Sequence, residues 1–489
     1  MGTSIKQLCF LALAGVGALV QAQATTAASS NLITYPIPSG APVASSYRLR
    51  VRPPKGCWRA VETYLANVEQ VNTMTGSGTK YSASMAYFDF SGSVEVSVQP
   101  LDAASPASSI QIRPLSYGIV PTAAGNGSYT FTLTKPANLV FQVDDDVLHA
   151  LHILANAIET DVPSPDDPGV VYFGPGLHTL PSGVLNATSG QTIYIAGGAV
   201  LTSSISVWNA SNVTVRGHGV LYNTAAAAVD IEYSSGVTVD GVVSLNSRAG
   251  CFLVAQSAGV TLRNLRAFSA DSWGDGIDIY SSRDVLIEGA FLRTSDDCVA
   301  VYNHRNDWYG NSTNVTVRDS ALWADVAHPV NVGTHGNPAN PETLSGLTLR
   351  NLDILDHREP QMDYQGCIAI NAGDANTVRD VLVDNVRVED FRLGQLVNLR
   401  VMYNAKYNTA PGNLISNVTI RNLAYQGTHA NPSLLVGYDD ARRIEFVRFE
   451  NLTLNGRHIY DGMPKPSWYL TSDFVPMFAN EHVVNLTFT

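Results

Sequence analysis

A short phrase recurs through the last two thirds of this 489-residue chain, and it limits the architecture more than any other feature. It reads NVTVRG from Asn212, GVTVDG from Gly236, GVTLRN from Gly259 and DVLIEG from Asp284. It continues as NVTVRD from Asn314, GLTLRN from Gly346, DVLVDN from Asp380 and NVTIRN from Asn417, with a looser copy, EFVRFEN, from Glu445. Successive copies begin 23 to 37 residues apart. Each alternates apolar and polar residues, the period of a half-buried strand, and is bounded by Gly, Asn or Asp, which form turns. A second short strand follows in most units, as in CFLVAQ, GIDIYS, CVAVYN, PVNVGT and CIAINA. One unit cannot bury its apolar side alone. Stacked as coils of a right-handed parallel β-helix, the units share one interior and pair every strand above and below. Leucine-rich repeats, the rival, want leucines at fixed offsets and a helix per unit, which this sequence lacks.

The phrase is missing from about residue 30 to 160, yet strand patterns persist in SGSVEVSVQP, SIQIRP, SYTFTLTKP and LVFQVDDD. Short alternating strands with Pro, Gly and Asn turns predict a β-sandwich over 30–160. The Pro-rich stretch 161–169 reads as a linker and 170–489 as the β-helix. The fold class is therefore all-β, and scarce Glu, Lys and Met agree with it. Asp144, Asp145 and Asp146 read as an acidic loop.

The first 24 residues carry Lys6, a short apolar run from Leu8 to Val20 and the small-residue stretch AQA, the pattern of a secretory signal peptide. No run is long enough to span a bilayer. A secreted, extracellular, monomeric protein is expected. Nine Asn-X-Ser/Thr triplets (Asn126, Asn186, Asn209, Asn212, Asn311, Asn314, Asn417, Asn451 and Asn485) fit a glycoprotein, although such triplets also arise by chance in Thr-rich strands. Beyond the leader, Cys57, Cys251, Cys298 and Cys367 are too few for a disulfide framework; one bridge or buried thiols both remain open. A net charge of -12 without a basic stripe argues against a nucleic-acid partner.

Chemistry concentrates in WGDGIDIYSSRDVLIEGAFLRTSDDCVAVY, from Trp273. Asp275 and Asp296 are twenty-one positions apart, close to one coil, so the sequence predicts that they take comparable places on neighbouring coils. With Asp297 they should form a cluster, since adjacent strands lie about 4.8 Å apart. Three carboxylates that close cannot all ionise comfortably, so one stays protonated as a general acid while others remain charged as bases. That combination can protonate a glycosidic oxygen and activate a water. Asp278 lies on the following strand and reads first as a structural support; Asp284 and Asp319 read as turn caps.

GDGID, then SDDC, then a His-containing strand resemble the glycoside hydrolase clan that joins the polygalacturonases (family 28) with the dextranases and isopullulanase (family 49). The resemblance covers the helical part and implies a right-handed β-helix enzyme that inverts at the anomeric carbon. It implies Asp296 as general acid, Asp275 and Asp297 as the carboxylates that hold and activate water, and His328, in AHPVNVG, as the supporting histidine. Pro329 stands where the pattern has glycine, and the insertion HRNDWYGNST lengthens the turn before that strand. His335, in GTHG, is a second histidine on the same rim. Trp273 and Tyr302, with His335, are the candidates for substrate contact, an aromatic ring being a natural platform for a sugar face. Trp308 and Tyr309 in the insertion could form a cleft wall.

Polygalacturonases carry an Arg-Ile-Lys strand that grips the substrate carboxylate. The equivalent strand here, GCIAIN, has no cation, and Arg400 lies one coil further on. This departure, with a sandwich ahead of the helix as in family 49, predicts a neutral, dextran-like glucan; a polygalacturonase-type pectin hydrolase is the alternative. Two other classes compete. A calcium-dependent polysaccharide lyase would need a basic residue as proton abstractor, and Arg293 is the nearest in sequence. A non-catalytic carbohydrate-binding β-helix would not need three coordinated carboxylates. No cofactor and no metal are implied.

Overall fold

The computed structural model describes residues 32–489 apart from 73, 103–106 and 272. The expected leader, 1–24, lies outside the described residues. Among those described, no helix is long and apolar enough to cross a membrane.

The repeat phrase owes its boundaries to backbone conformation. In all eight regular copies both the first and the sixth residue adopt positive φ, from Asn212 (55°) and Gly217 (119°) to Asn417 (53°) and Asn422 (54°). Gly reaches that region without cost, and Asn and Asp more cheaply than other residues. The looser copy fits the same frame one residue later, from Phe446 (56°) to Asn451 (54°). Between these corners the apolar positions turn inward: Val213 and Val215 are fully buried, as are Val237 and Val239. Side-chain amides link the corners between coils, Asn314 Nδ2 donating to Asp284 Oδ1 (2.7 Å) and Asn417 Nδ2 to Asp380 Oδ1 (2.7 Å). Four of the nine glycosylation triplets, at Asn212, Asn314, Asn417 and Asn451, begin at these corners of the repeat, so the repeat itself generates them.

Among the described residues, stacked coils give two sheets. One has twenty strands, from Val170–Phe173 to Val483–Phe488, and the other eleven, from Val184–Asn186 to Met477–Ala479. Their coil-to-coil pairings are parallel except for one hairpin near the C-terminal end. One core of Val, Ile, Leu and Cys side chains runs through the helix, including Cys251, Cys298 and Cys367. Each fully buried Leu, Ile or Val contributes about 1.5–3 kcal/mol of transfer free energy.

The described residues of 32–157 form a ten-stranded sheet centred on Gly78–Phe90, which pairs antiparallel with Arg59–Val71 and parallel with Leu151–Ala157. Strands from both ends of this sheet share one core, including Val51, Val98, Phe141 and Ile153, so the sheet folds over on itself as a sandwich. Its other face, with Tyr64, Met85 and Tyr87, packs on Phe268, Phe291 and Trp323 of the helix. Polar contacts close the same seam. Arg113 and Arg293 lie over the Trp323 ring at 4.6 and 4.2 Å, and Arg293 makes a double contact with Asp325 (2.8 and 3.0 Å). Arg293 is fully buried in this seam and also meets Val147 O and His152, so it is not available to a groove as a base. Lys80 pairs with Asp271, which ties the sandwich to the turn that leads into Trp273.

Candidate active site

The outward side of the eleven-stranded sheet carries the acidic cluster. Asp275 precedes the strand Ile277–Tyr280, Asp296 and Asp297 precede Val299–Tyr302, and His328 precedes Val330–Val332. Ile277 pairs with Val299 and Val299 with Val330, so counting back places Asp275, Asp297 and His328 in one row. This corrects the register read from the spacing: the coil is 22 residues long here, and Asp297, not Asp296, stacks on Asp275. Asp296 sits one position earlier, which lets adjacent carboxylates serve the same cluster. One oxygen from each of Asp275, Asp296 and Asp297 lies within 4.8 Å of the others.

Both glycines of the GDG turn are required by close approach. A Cβ at Gly276 would come within 2.5 Å of Cys298 O, and one at Gly274 within 2.8 Å of Asp271 O. With hydrogen there instead, Gly276 N donates to Asp297 O at 2.8 Å and binds the two acidic turns together.

Asp297 is buried and saturated. Its Oδ1 accepts from His328 N (3.1 Å) and Nδ1 (2.6 Å), and its Oδ2 from Asn331 Nδ2 (2.8 Å) and the Tyr302 hydroxyl (3.1 Å). Four donors use about all the lone-pair positions a carboxylate has. Burial alone would favour the neutral acid, but the His328 charge and these hydrogen bonds overturn it and hold Asp297 below the usual carboxylate range. The partner is charged for a geometric reason: the other His328 nitrogen, Nε2, meets the carbonyl of Tyr364, so both ring nitrogens face acceptors and both donate. Burial pulls the ring down, yet the Asp297 charge and its hydrogen bond raise His328 to about 9.

Asp275 and Asp296 are half-buried and behave in the opposite way. Burial first, then neighbouring carboxylates, push both well above the usual range. They cannot both ionise beside Asp297, so a proton resides in this pair. Asp278, on the outward face of Ile277–Tyr280, is raised to about 7 by burial and has one oxygen, Oδ1, without a partner.

Among the candidate contact residues, Trp273 is exposed by 69% beside Asp275, with φ at 62°. Tyr302 is buried, stacked on Tyr280 (5.6 Å, 5°), with its hydroxyl committed to Asp297. His335 meets the Tyr302 ring edge-on at 5.0 Å and is lowered to about 4 by burial and by the Arg305 charge, so it is neutral near pH 7. Arg400 turns onto the carbonyl of Asp363.

Sequence reading missed Asn331, Tyr364 and Glu359. Asn331 was accessible from the alternation of PVNVG. Tyr364 and Glu359 lie in the long turn before Ile368–Ala372, where no period marks them; Glu359 is buried, is raised by burial, and its charge raises Asp296 in turn. Three carboxylates this close could gather a divalent cation, but Asp297 has no lone pair left and already faces an imidazolium. That donor set does not suit a metal.

The profile of the glycosyl hydrolases of family 28 matches residues 173–463. A probable endopolygalacturonase D of Aspergillus flavus is 24% identical over 349 residues, which is 64% of this chain and 64% of the relative. A polygalacturonase of Chamaecyparis obtusa is 28% identical over 131 residues, 26% of this chain and 24% of its own length. The chain thus spans between a quarter and two thirds of the length of these relatives. Among solved structures, Dex49A from Penicillium minioluteum superposes with a TM-score of 0.62 at 12% identity, covering 94% of this chain and 96% of that one. That likeness shows a shared fold, N-terminal sheet included.

Proposed function

The chain belongs to the glycosyl hydrolases of family 28, and on that premise we propose that it hydrolyses glycosidic bonds of a pectic, uronate-bearing polysaccharide. The observation that carries the chemistry is the division of charge within one cluster: Asp297 fixed as an anion by His328, with Asp275 and Asp296 sharing a proton beside it. Asp296 holds that proton and gives it to the leaving oxygen. Asp275, which accepts no side-chain donor among the described residues, takes the proton of the attacking water. Asp297 supplies the fixed negative field that orients the water and stabilises positive charge at the anomeric carbon.

Water, not a protein carboxylate, is the attacker, and the configuration inverts. The spacing is short for inversion, which usually has carboxyl groups about 6.5–9.5 Å apart, against about 5–5.5 Å for retention. Saturation of Asp297 removes that carboxylate as a nucleophile, which needs an open lone pair aimed at carbon, and leaves the open Asp275 to act on the water. Names of the curated relatives support a polygalacturonase-type substrate. A neutral glucan is the second reading, favoured by the lack of any cation on Ile368–Ala372. The N-terminal 24 residues support export of the enzyme.

Reducing ends released from polygalacturonate, rhamnogalacturonan, dextran and pullulan, with NMR of the first-formed anomer, test all of this. Cleavage of polygalacturonate with inversion is expected. Activity on dextran alone moves the substrate to the second reading, and a retained anomer sinks the assignment of water as attacker.

A further inference from the structure

The insertion at residues 304–310 is a built element. Arg305 and Trp308 exchange both backbone hydrogen bonds (3.2 and 3.0 Å) across a tight turn that contains Asn306 at φ 51°. His304 holds the Trp308 carbonyl at 2.7 Å and stacks on Tyr309 at 4.2 Å, while Gln256 Nε2 donates to the Tyr309 carbonyl (2.9 Å). The Trp308 indole lies on Tyr280 (5.6 Å) and donates through Nε1 to Glu232 (2.9 Å), so this turn folds back over earlier coils beside the acidic cluster.

Directly opposed residues of an antiparallel pair project to the same face. The side chain of Arg305 therefore leaves the turn on the side of Trp308, toward the outward face that carries Tyr280, Asp278 and Tyr302. Electrostatics agree, since the Arg305 charge acts on Asp278, Tyr280 and His335. Yet its guanidinium has no hydrogen bond or ion pair among the described residues. Most other arginines of the helix are committed, Arg293 to Asp325, Arg392 to Asp325 and Asp356, and Arg400 to a carbonyl. A polyanion entering a groove floored by Asp275, Asp278, Asp296 and Asp297 meets like charge, and a planar, uncommitted guanidinium on a pinned turn is suited to receive a carboxylate.

We propose that Arg305 binds the carboxylate of a uronic-acid unit seated over Tyr280, on the N-terminal side of the catalytic cluster, and so sets the acidity of the substrate the site accepts. This rests on the pectic reading above. It also accounts for an acidic substrate without a cation on Ile368–Ala372.

The test compares wild type, Arg305→Gln and Arg305→Lys on polygalacturonate and on highly methyl-esterified polygalacturonate, with thermal unfolding as a control for folding. Selectivity, the ratio of kcat/KM on the acidic polymer to that on the ester, should fall about 10- to 100-fold in Arg305→Gln, mainly through KM, as expected for a lost charge-assisted contact. Arg305→Lys should recover part of it. An unchanged ratio overturns the inference, including the case in which both substrates lose activity equally, which would make Arg305 a mere counter-charge for Asp278. Wild type that releases nothing from either polymer would instead sink the pectic reading, and this inference with it.

Discussion

Replacing His328 by glutamine removes the ring charge while leaving an amide that can donate to Asp297. The rise of this histidine from 6.5 to about 9 corresponds to about 3 kcal/mol of preference for the charged ring, at about 1.4 kcal/mol per tenfold change. Since the folded value lies above the unfolded one, this stabilisation is fully present below about pH 6.5 and is lost as the pH rises through about 9. Asp297 gives the mirror image at acid pH: its share is present above its ordinary 3.8 and lost as pH falls through its depressed value. The two are one interaction and count once. Wild type should therefore lose about 3 kcal/mol of unfolding free energy from this pair between pH 6.5 and 9, and His328→Gln should lack that slope. Activity responds through the same contact. Without the imidazolium, Asp297 competes for the proton Asp296 must hold, and kcat should fall roughly 100- to 1,000-fold, with KM little changed. Urea unfolding at several pH values from 5.5 to 9, with kinetics on the same samples, reads both effects. A variant with the wild-type slope, or with kcat within threefold of wild type, refutes the charged-pair argument.

Asp296→Asn should lower kcat by about 10⁴-fold, within the range of a lost general acid, while the unfolding temperature stays level or rises; measurable turnover by a folded variant would reassign the acid. Asp278 is an acid whose folded value, about 7, lies above 3.8, so its favourable term exists below pH 3.8 and disappears as pH rises to 7. Asp278→Asn should accordingly stabilise by about 2–4 kcal/mol at pH 8 and hardly at all at pH 4, which melting curves at the two pH values would show or contradict. Tyr302→Phe keeps the stack on Tyr280 but removes one donor from Asp297 and should cost about 5- to 10-fold in kcat; no change would mean the other three donors suffice. Gly276→Ala places a Cβ within 2.5 Å of Cys298 O and should destabilise by about 2–4 kcal/mol, so an unaltered melting temperature would contradict the close-approach account of the GDG turn.

The β-helix was legible in the sequence because its rules are local. Alternation along NVTVRG and its copies tells inside from outside with a period of two, and the Asn, Gly or Asp at each end states that the chain turns there through positive φ. The same locality made GDG and DDC visible, since close approach and paired charge are written in adjacent residues. The exact stacking was not legible. A spacing of twenty-one suggested Asp275 over Asp296, whereas the paired strands make the coil one residue longer and put Asp297 there. Nor could local pattern reveal that Asp297 and His328, 31 residues apart, form a buried ion pair, or that Tyr364 supplies the carbonyl that keeps the ring doubly protonated. The missing cation on GCIAIN predicted a neutral substrate, and nothing in the repeat signalled that the turn at 304–310 folds back to lay Trp308 on Tyr280 with Arg305 opposite it. The sequence alone determined coil, corner and the grouping of the acidic residues, because backbone preference and burial act between near neighbours. Tertiary structure alone decided the direction in which each carboxylate is shifted and where the inserted turn is pinned. Those properties depend on desolvation and on charges that meet only after irregular turns of unequal length have packed across the coils.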